Sequence, residues 1–69
     1  MTKLRRLREA MGVTQEELAT AAGISQGAIS MIENGTRKPS YDVLLKVAVK
    51  LDCLVDELID RPDLDDDGV

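Results

Sequence analysis

Histidine, phenylalanine and tryptophan are absent from this 69-residue chain, and cysteine and tyrosine each occur once. Without histidine the chain lacks the commonest general base of enzymes, and no serine or cysteine has a histidine partner for nucleophilic catalysis. The single cysteine, Cys53, has no second cysteine for an internal disulfide, and the usual zinc ligand sets cannot be assembled. We therefore predict no catalytic site, no metal site and no cofactor.

Long apolar runs are also missing. No stretch approaches the ~18 to 20 apolar residues that span a bilayer, and the first residues lack the apolar segment of a secretory signal. These absences predict a cytoplasmic protein with no membrane contact. What is present is 43% hydrophobic and 32% charged residues, enough for one thin core. Ordering a chain costs about 1.5 kcal/mol per residue, so a domain of this size is marginally stable and association with a partner is favoured.

The charge is unevenly distributed along the chain. The overall net charge is −4, which argues against tight non-specific binding to nucleic acid. Residues 1–40, however, hold six basic and four acidic side chains, whereas residues 41–69 hold three basic and nine acidic ones. If the chain contacts DNA, we expect residues 1–40 to do so.

Apolar spacing and capping residues predict five helices and no strands. Leu4, Leu7 and Met11 form the inner stripe of a first helix that Gly12 ends. Thr14 and Ser25 have hydroxyl groups suited to cap helices over 15–22 and 26–33. The inner residues of these two helices are Leu18, Ala19 and Ala22 in the first, and Ile29 and Ile32 in the second.

In the second half of the chain, the pattern of apolar and capping residues predicts two further helices and a tail. Ser40 is placed to cap a fourth helix, whose inner residues are Leu44, Val47, Ala48 and Leu51. A short fifth helix follows with the apolar stripe Leu54, Val55, Leu58 and Ile59. Residues 1–61 are thus predicted to form one domain, and the acidic residues 62–69 to form a disordered tail.

Two short helices joined by a tight turn at Gly23 have the spacing of a helix-turn-helix, in which the second helix enters the major groove of DNA. The segments TQEELA (14–19) and IENGTRKPS (32–40) resemble the Cro and phage-repressor family of regulators, often called XRE-like. The resemblance covers roughly residues 3–60. It implies an all-α, compact five-helix, lambda-repressor-like DNA-binding domain.

The resemblance also assigns roles to individual residues. It implies base contacts from Gln26, Gly27, Ser30 and Met31. It implies phosphate contacts from Gln15, Ser25, Asn34, Thr36, Arg37 and Lys38, and a structural salt bridge between Arg8 and Glu33. Gly27 offers no side chain and Met31 only an apolar one, so DNA shape is expected to supply much of the specificity. Alternatively, Gln26 is a solvated side chain without a role in DNA binding, and Met31 is a partly exposed apolar residue that packs beside the core.

The sequence departs from the family before the fifth helix. Relatives often have glycine there and a serine or threonine cap, whereas this chain has Asp52 and Cys53. Cys53 is either a small buried apolar residue or a redox-sensing or interface thiol. Leu54 and Val55 are either core residues or extend an apolar patch with Leu58 and Ile59. We predict that these four residues form a homodimer interface.

The function implied by the resemblance is a sequence-specific DNA-binding transcriptional regulator. We expect a repressor, associated with the nucleoid, that binds double-stranded DNA at an inverted repeat as a homodimer, with recognition helices about 34 Å apart. The alternative is an antitoxin or adaptor whose acidic C-terminal portion binds another protein. No group of residues supports an enzyme.

Overall fold

The computed structural model describes residues 1–60, which form four α-helices and one 3₁₀ turn. These elements are α1 (Thr2–Ala10), α2 (Gln15–Ala22), α3 (Gln26–Glu33), α4 (Tyr41–Lys50) and the 3₁₀ turn Val55–Glu57. Residues 1–60 contain no β-strand, which confirms the all-α class. The predicted acidic tail, residues 62–69, lies outside the described residues.

Three of the helices begin at the predicted caps. The Thr14 hydroxyl accepts the backbone N–H of Glu17 at 3.0 Å, and the Glu17 carboxylate accepts the N–H of Thr14 at 2.9 Å. This reciprocal capping box satisfies two backbone donors at the start of α2. Ser25 and Ser40 each accept the N–H of the third residue of the following helix, at 3.0 and 3.2 Å.

The N-terminus of α1 is capped by a residue from the other end of the described chain. α1 has no side-chain cap of its own. Instead, the Asp60 carboxylate accepts the backbone N–H of Thr2 at 2.7 Å and that of Lys3 at 3.0 Å. A carboxylate at a helix N-terminus satisfies donors that have no intrahelical partner and also interacts favourably with the helix dipole.

The turn between α2 and α3 depends on glycine. Gly23 has a φ of 73°, in the left-handed region that glycine adopts without steric cost. The next residue, Ile24, donates its N–H to the carbonyl of Ala19 at 3.0 Å and packs against the core. This is the helix-ending geometry that directs α3 across α2.

The core lies between α2 and its two neighbours. α2 packs against both α3 and α4, and α1 packs against α3. The inner residues predicted for α2 and α3 are all buried, and the α4 stripe is confirmed apart from Leu44, which is half-buried. The buried apolar residues are Leu4, Leu18, Ala19, Ala22, Ala28, Ile29, Ile32, Val47, Ala48, Leu51 and Leu58.

The predicted fifth helix is wrong. Asp52 takes a left-handed conformation with a φ of 54°, and Leu54 is extended, so only the three residues Val55–Glu57 coil before the chain turns into the core. Leu58 is fully buried, which contradicts its assignment to a dimer interface. Ile59 is half-buried and lines a separate groove beside Pro39.

Two other predicted core residues are placed differently. Met11 is 50% exposed because α1 ends at Ala10, before the predicted stripe is complete. Cys53 is half-buried and not fully enclosed. Burial, with smaller contributions from the charges of Glu57 and Asp52, raises the pKa of its thiol. A protonated thiol is a poor nucleophile at neutral pH, which disfavours the redox-sensing alternative.

Candidate nucleic-acid interface

The outward side of α3 collects the residues that were predicted to read bases. Gln26 and Gly27 are exposed, Ser30 is half-buried, and Met31 is 42% exposed. The opposite side of the helix, including Ile29, is buried against α2 and the core. One face of a two-turn helix is therefore available to a partner along its whole length.

Gly27 lies in the first turn of α3, where the fold does not require glycine. Its backbone is not in the left-handed region. A methyl group added there would meet only the Ser25 hydroxyl, at an ordinary contact distance of 3.9 Å. An exposed helical glycine lowers helix stability relative to alanine, so the packing of residues 1–60 gives no reason for it.

A buried ion pair holds α3 against α1. Arg8 Nε donates to Glu33 Oε2 at 2.6 Å and Arg8 Nη2 donates to Oε1 at 3.2 Å, a bidentate contact. The two side chains are only 11% and 4% exposed. The hydrogen bond to Glu33 raises the pKa of the Arg8 guanidinium above its ordinary value. The salt bridge implied by the resemblance is thus present.

Gln15 joins the same buried carboxylate. Its side-chain Nε2 donates to Glu33 Oε1 at 3.0 Å, which ties the first residue of α2 to the last residue of α3. Sequence reasoning missed this contact and predicted only a phosphate contact for Gln15. One Nε2 hydrogen is used inside the protein, and the second is available, so the phosphate contact stays a prediction.

The buried pair of Arg8 and Glu33 also determines the charge of the outward face of α3. Glu33 is the only ionisable residue in the helix, and it is buried and paired with Arg8. The outward face of α3 consequently carries no negative side chain. A phosphate backbone can approach it without like-charge repulsion.

The loop after α3 is held by a side-chain turn. Asn34 Oδ1 accepts the Thr36 N–H at 3.1 Å and the Thr36 hydroxyl at 2.8 Å. This turn presents Arg37 and Lys38, both exposed, directly after the recognition helix. Thr36 uses both its N–H and its hydroxyl proton inside the turn, so we assign it a structural role. Its predicted phosphate contact requires the hydroxyl proton to turn from Asn34 to the phosphate.

Ser25 is placed at the start of the same helix. Its hydroxyl oxygen caps α3, while the hydroxyl proton can still be donated to a phosphate.

Two further findings concern residues 1–60 only. None of their helices is long and apolar enough to cross a membrane. Within the same range, no three histidine, cysteine, aspartate or glutamate side chains are grouped to hold a metal ion.

Comparison with known proteins identifies the family of this chain. The sequence profile of a helix-turn-helix family matches residues 4–58. The chain belongs to the helix-turn-helix family of Cro and phage-repressor type. Membership in this family confirms the helix-turn-helix that the sequence predicts, and the relatives described next are named HTH-type transcriptional regulators.

Family members from distant organisms are similar to this chain. YqaF, an HTH-type transcriptional regulator of Bacillus subtilis, is 52% identical over 48 residues, which cover 70% of this chain and 63% of YqaF. An HTH-type transcriptional regulator of Archaeoglobus fulgidus is 33% identical over 57 residues, which cover 83% of this chain and 81% of the relative. The chain spans less than two thirds of YqaF and smaller shares, 26% and 15%, of two longer relatives.

A solved structure of the same fold is also similar. The crystal structure of the restriction-modification controller protein C.AhdI from Aeromonas hydrophila superposes with a TM-score of 0.78 at 38% sequence identity. The match covers 84% of this chain and 88% of that one. At this identity and coverage the agreement extends beyond the general all-α class.

Proposed function

We propose that this chain is a cytoplasmic, nucleoid-associated transcriptional repressor that binds an inverted-repeat operator as a homodimer. The observation that carries the proposal is the outward face of α3, which is free of negative charge and flanked by the basic loop Arg37–Lys38. A helix with such a face fits the major groove, and the loop fits the adjacent sugar-phosphate backbone. A repressor of this kind acts by occupying its DNA site.

Within this proposal the residues divide by role. Gln26 bridges N6 and N7 of an adenine, Ser30 donates to a base edge, and Met31 contacts a thymine methyl group. Gly27 lets the helix backbone approach the base edges closely. The phosphate contacts come from Gln15, Ser25, Asn34, Thr36, Arg37 and Lys38, which position α3 without reading sequence.

Selection of bound duplexes from a randomised DNA library at physiological salt tests the proposal. We expect enrichment of an inverted repeat whose half-sites lie roughly 10 base pairs apart, centre to centre. With the enriched site, Gln26→Ala should cost about 1 to 3 kcal/mol and relax preference at one base pair per half-site. Lys38→Ala serves as the comparison, because loss of a phosphate contact weakens binding to all sequences alike and lowers the salt dependence.

Two outcomes would contradict the proposal. If Gln26→Ala leaves both affinity and base preference unchanged, the outward side of α3 is wrongly assigned as the base-contacting surface. If a folded sample enriches no sequence, the alternative of an antitoxin or adaptor module gains weight. That alternative is supported by the acidic excess after residue 40, and a stoichiometric protein partner lost on removal of residues 61–69 would favour it.

A further inference from the structure

A groove of about 300 Å³ lies beside the basic loop that follows α3. The residues that line it are of two kinds, apolar and charged. The apolar lining includes Pro39, Leu44 and Ile59, and the charged lining consists of Arg37, Lys38 and Asp60. We name this surface the loop groove.

The two basic residues of the loop groove lack an acidic partner within residues 1–60. None of the ion pairs in that range includes Arg37 or Lys38, and both side chains are exposed. Asp60 lines the same groove, but its carboxylate accepts the backbone N–H groups of Thr2 and Lys3, at 2.7 and 3.0 Å. Two neighbouring positive charges beside an apolar groove therefore favour a partner that is both acidic and apolar.

The chain continues beyond the described residues from this same groove. Ile59 and Asp60 are the last two described residues, and both line the loop groove. The hydrogen bonds from α1 to Asp60 fix the point from which the chain continues. An extended chain spans at most about 3.5 Å per residue, so residues 63–67 can reach roughly 10 to 25 Å from Asp60. Since the groove begins at Asp60 itself, this reach is sufficient to cover it.

The sequence that follows Asp60 is complementary to the loop groove. Residues 61–69, which we name the acidic segment, contain four aspartates and one arginine. Leu64 lies between Asp63 and the run of aspartates at 65–67. Its apolar side chain suits the apolar lining of the groove, and the neighbouring carboxylates suit the basic loop.

A second groove with basic residues lies on α1 and is the competing location. It has a volume of about 450 Å³, and Lys3 and Arg6 line it. Neither of these two residues takes part in an ion pair within residues 1–60. Ile59 and Asp60, however, do not line this α1 groove. The path of the chain therefore favours the loop groove.

We propose that the acidic segment binds the loop groove and competes with the DNA backbone for Arg37 and Lys38. The proposal rests on the proposed function in one respect, since that function assigns phosphate contacts to these two residues. The segment is joined to the domain, so its binding is intramolecular and needs little intrinsic affinity. It lowers the affinity for every DNA sequence and leaves base preference unchanged, because phosphate contacts carry no sequence information.

Backbone amide chemical shifts of the full chain without DNA locate the acidic segment. The segment variant carries Asp65→Asn and Asp66→Asn, which remove two charges and keep the length of the chain. Compared with the wild type, it should shift the amide signals of residues 35–38 and leave those of residues 3–10 unchanged. The difference from the wild type should shrink as salt is added, because exposed charges are then screened.

A control variant makes the same change in net charge elsewhere. It carries Asp52→Asn and Asp56→Asn. Both residues are exposed, and neither lines the loop groove or the α1 groove. The control should leave the amide signals of residues 35–38 at their wild-type positions.

Binding to a mixed-sequence DNA duplex measures the competition. At about 0.1 M salt the segment variant should bind about threefold or more tightly than the wild type, because Arg37 and Lys38 are then free for phosphate. The gain should shrink at higher salt. The control variant should bind within about twofold of the wild type, since charges farther than ~10 Å from the DNA are largely screened.

The two measurements separate this proposal from the proposed function. If DNA is bound and the segment variant changes neither the amide signals nor the affinity, this proposal fails and the function stands. If no variant binds DNA, the function and the competition both fail, and shifts confined to residues 35–38 retain only the contact with the groove. Shifts at residues 3–10 in place of 35–38, or equal effects of the control variant, would also overturn the proposal.

Discussion

At the scale of single residues, Gly27 is a position where stability and function are opposed. It is exposed on the recognition helix, and the fold leaves room for a side-chain methyl group. Glycine in a helix costs roughly 0.5 to 1 kcal/mol relative to alanine. Its presence there is explained by the proposed close approach of DNA.

Gly27→Ala should therefore raise the free energy of unfolding by about 0.5 to 1 kcal/mol and weaken specific DNA binding about tenfold or more. Urea unfolding and a binding titration measure the two effects. Gly23→Ala is the control, because the left-handed backbone of Gly23 makes alanine destabilising there. A more stable Gly27→Ala variant with unchanged DNA affinity would remove the argument for close approach.

Glu33 is the residue on which the orientation of α3 depends. Its carboxylate accepts hydrogen bonds from Arg8 and Gln15, so it connects three helices. Glu33→Gln leaves the guanidinium of Arg8 nearly buried without a counter-charge, and we expect a loss of about 2 to 3 kcal/mol in the free energy of unfolding. Urea denaturation measures this loss.

Glu9→Gln is the matched control for that variant. Glu9 is an exposed partner of Arg5 and Arg8, at 3.4 and 3.9 Å, and exposed ion pairs contribute little. We expect a change within about 0.5 kcal/mol. Equal losses in the two variants would mean that burial of the Arg8–Glu33 pair has no energetic consequence.

At the scale of elements, the start of α2 should be sensitive to acid. The hydrogen bond that the Glu17 carboxylate accepts from the Thr14 backbone lowers the pKa of Glu17 below its ordinary value of 4.5. Because the pKa is lower in the folded protein, this stabilisation is fully present above the unfolded value and is lost as pH falls through the folded value. The midpoint of thermal unfolding should thus differ most between wild type and Glu17→Gln at neutral pH.

That difference in unfolding midpoint should shrink as the pH falls below about 4.5, the ordinary pKa of this group. Glu16→Gln provides the comparison, since it removes the neighbouring charge in the same turn and leaves the Glu17 carboxylate in place. A difference between wild type and Glu17→Gln that stays constant over this pH range would show that the capping box does not depend on the charge of Glu17.

Replacement of aspartate by asparagine should have opposite effects on the free energy of unfolding at the two ends of α4. Asp42 lies in the first turn, where a negative charge is favourable, and pairs with Lys46 at 3.1 Å. Asp52 lies just past the last turn, where a negative charge is unfavourable, and its left-handed backbone suits asparagine. Asp52→Asn should stabilise the protein and Asp42→Asn destabilise it, each by about 0.5 kcal/mol in urea unfolding. Shifts of the same sign would contradict this account.

The sequence was sufficient for α2 and α3 because their ends are encoded locally. Thr14, Ser25 and Gly23 fix the starts and the turn, and both helices have the predicted bounds. It was insufficient after α4. The spacing of Leu54, Val55 and Leu58 suits a helix, but the left-handed Asp52 and the burial of Leu58 allow only one 3₁₀ turn.

Contacts between residues far apart in sequence could also not be predicted from local sequence patterns. The bond from Gln15 to Glu33 and the cap on α1 from Asp60 join residues far apart in sequence. Of the candidate site, the resemblance supplied the residues on the outward side of α3. The exposure of Tyr41, Leu45 and Val49 was missed because only the packing of α4 against α2 shows which of its apolar residues remain exposed.

At the scale of the whole molecule, the surface has two regions that the core does not use. The outward face of α3 and the basic loop Arg37–Lys38 form one region, and the exposed apolar residues Tyr41, Leu45 and Val49 of α4 form another. α2 lies between α3 and α4 and packs against both. A change in how α4 packs would consequently reach α3 through α2.

The cap on α1 has a consequence for the kinetics of folding. Asp60 accepts hydrogen bonds from residues 58 and 57 positions away, so the chain must already be nearly closed before this contact can form. Asp60→Ala should therefore increase the unfolding rate about fivefold, for a loss of ~1 kcal/mol, and leave the folding rate almost unchanged.

Ser40→Ala removes a cap whose partner is three residues away, which can form early. For a similar loss of stability it should slow folding more, and stopped-flow measurements over a range of urea concentrations distinguish the two. Equal effects of the two variants on the folding rate would contradict late closure. If closure is late, the contact between Asp60 and α1 sets the lifetime of the native state: the domain opens first where its two ends meet.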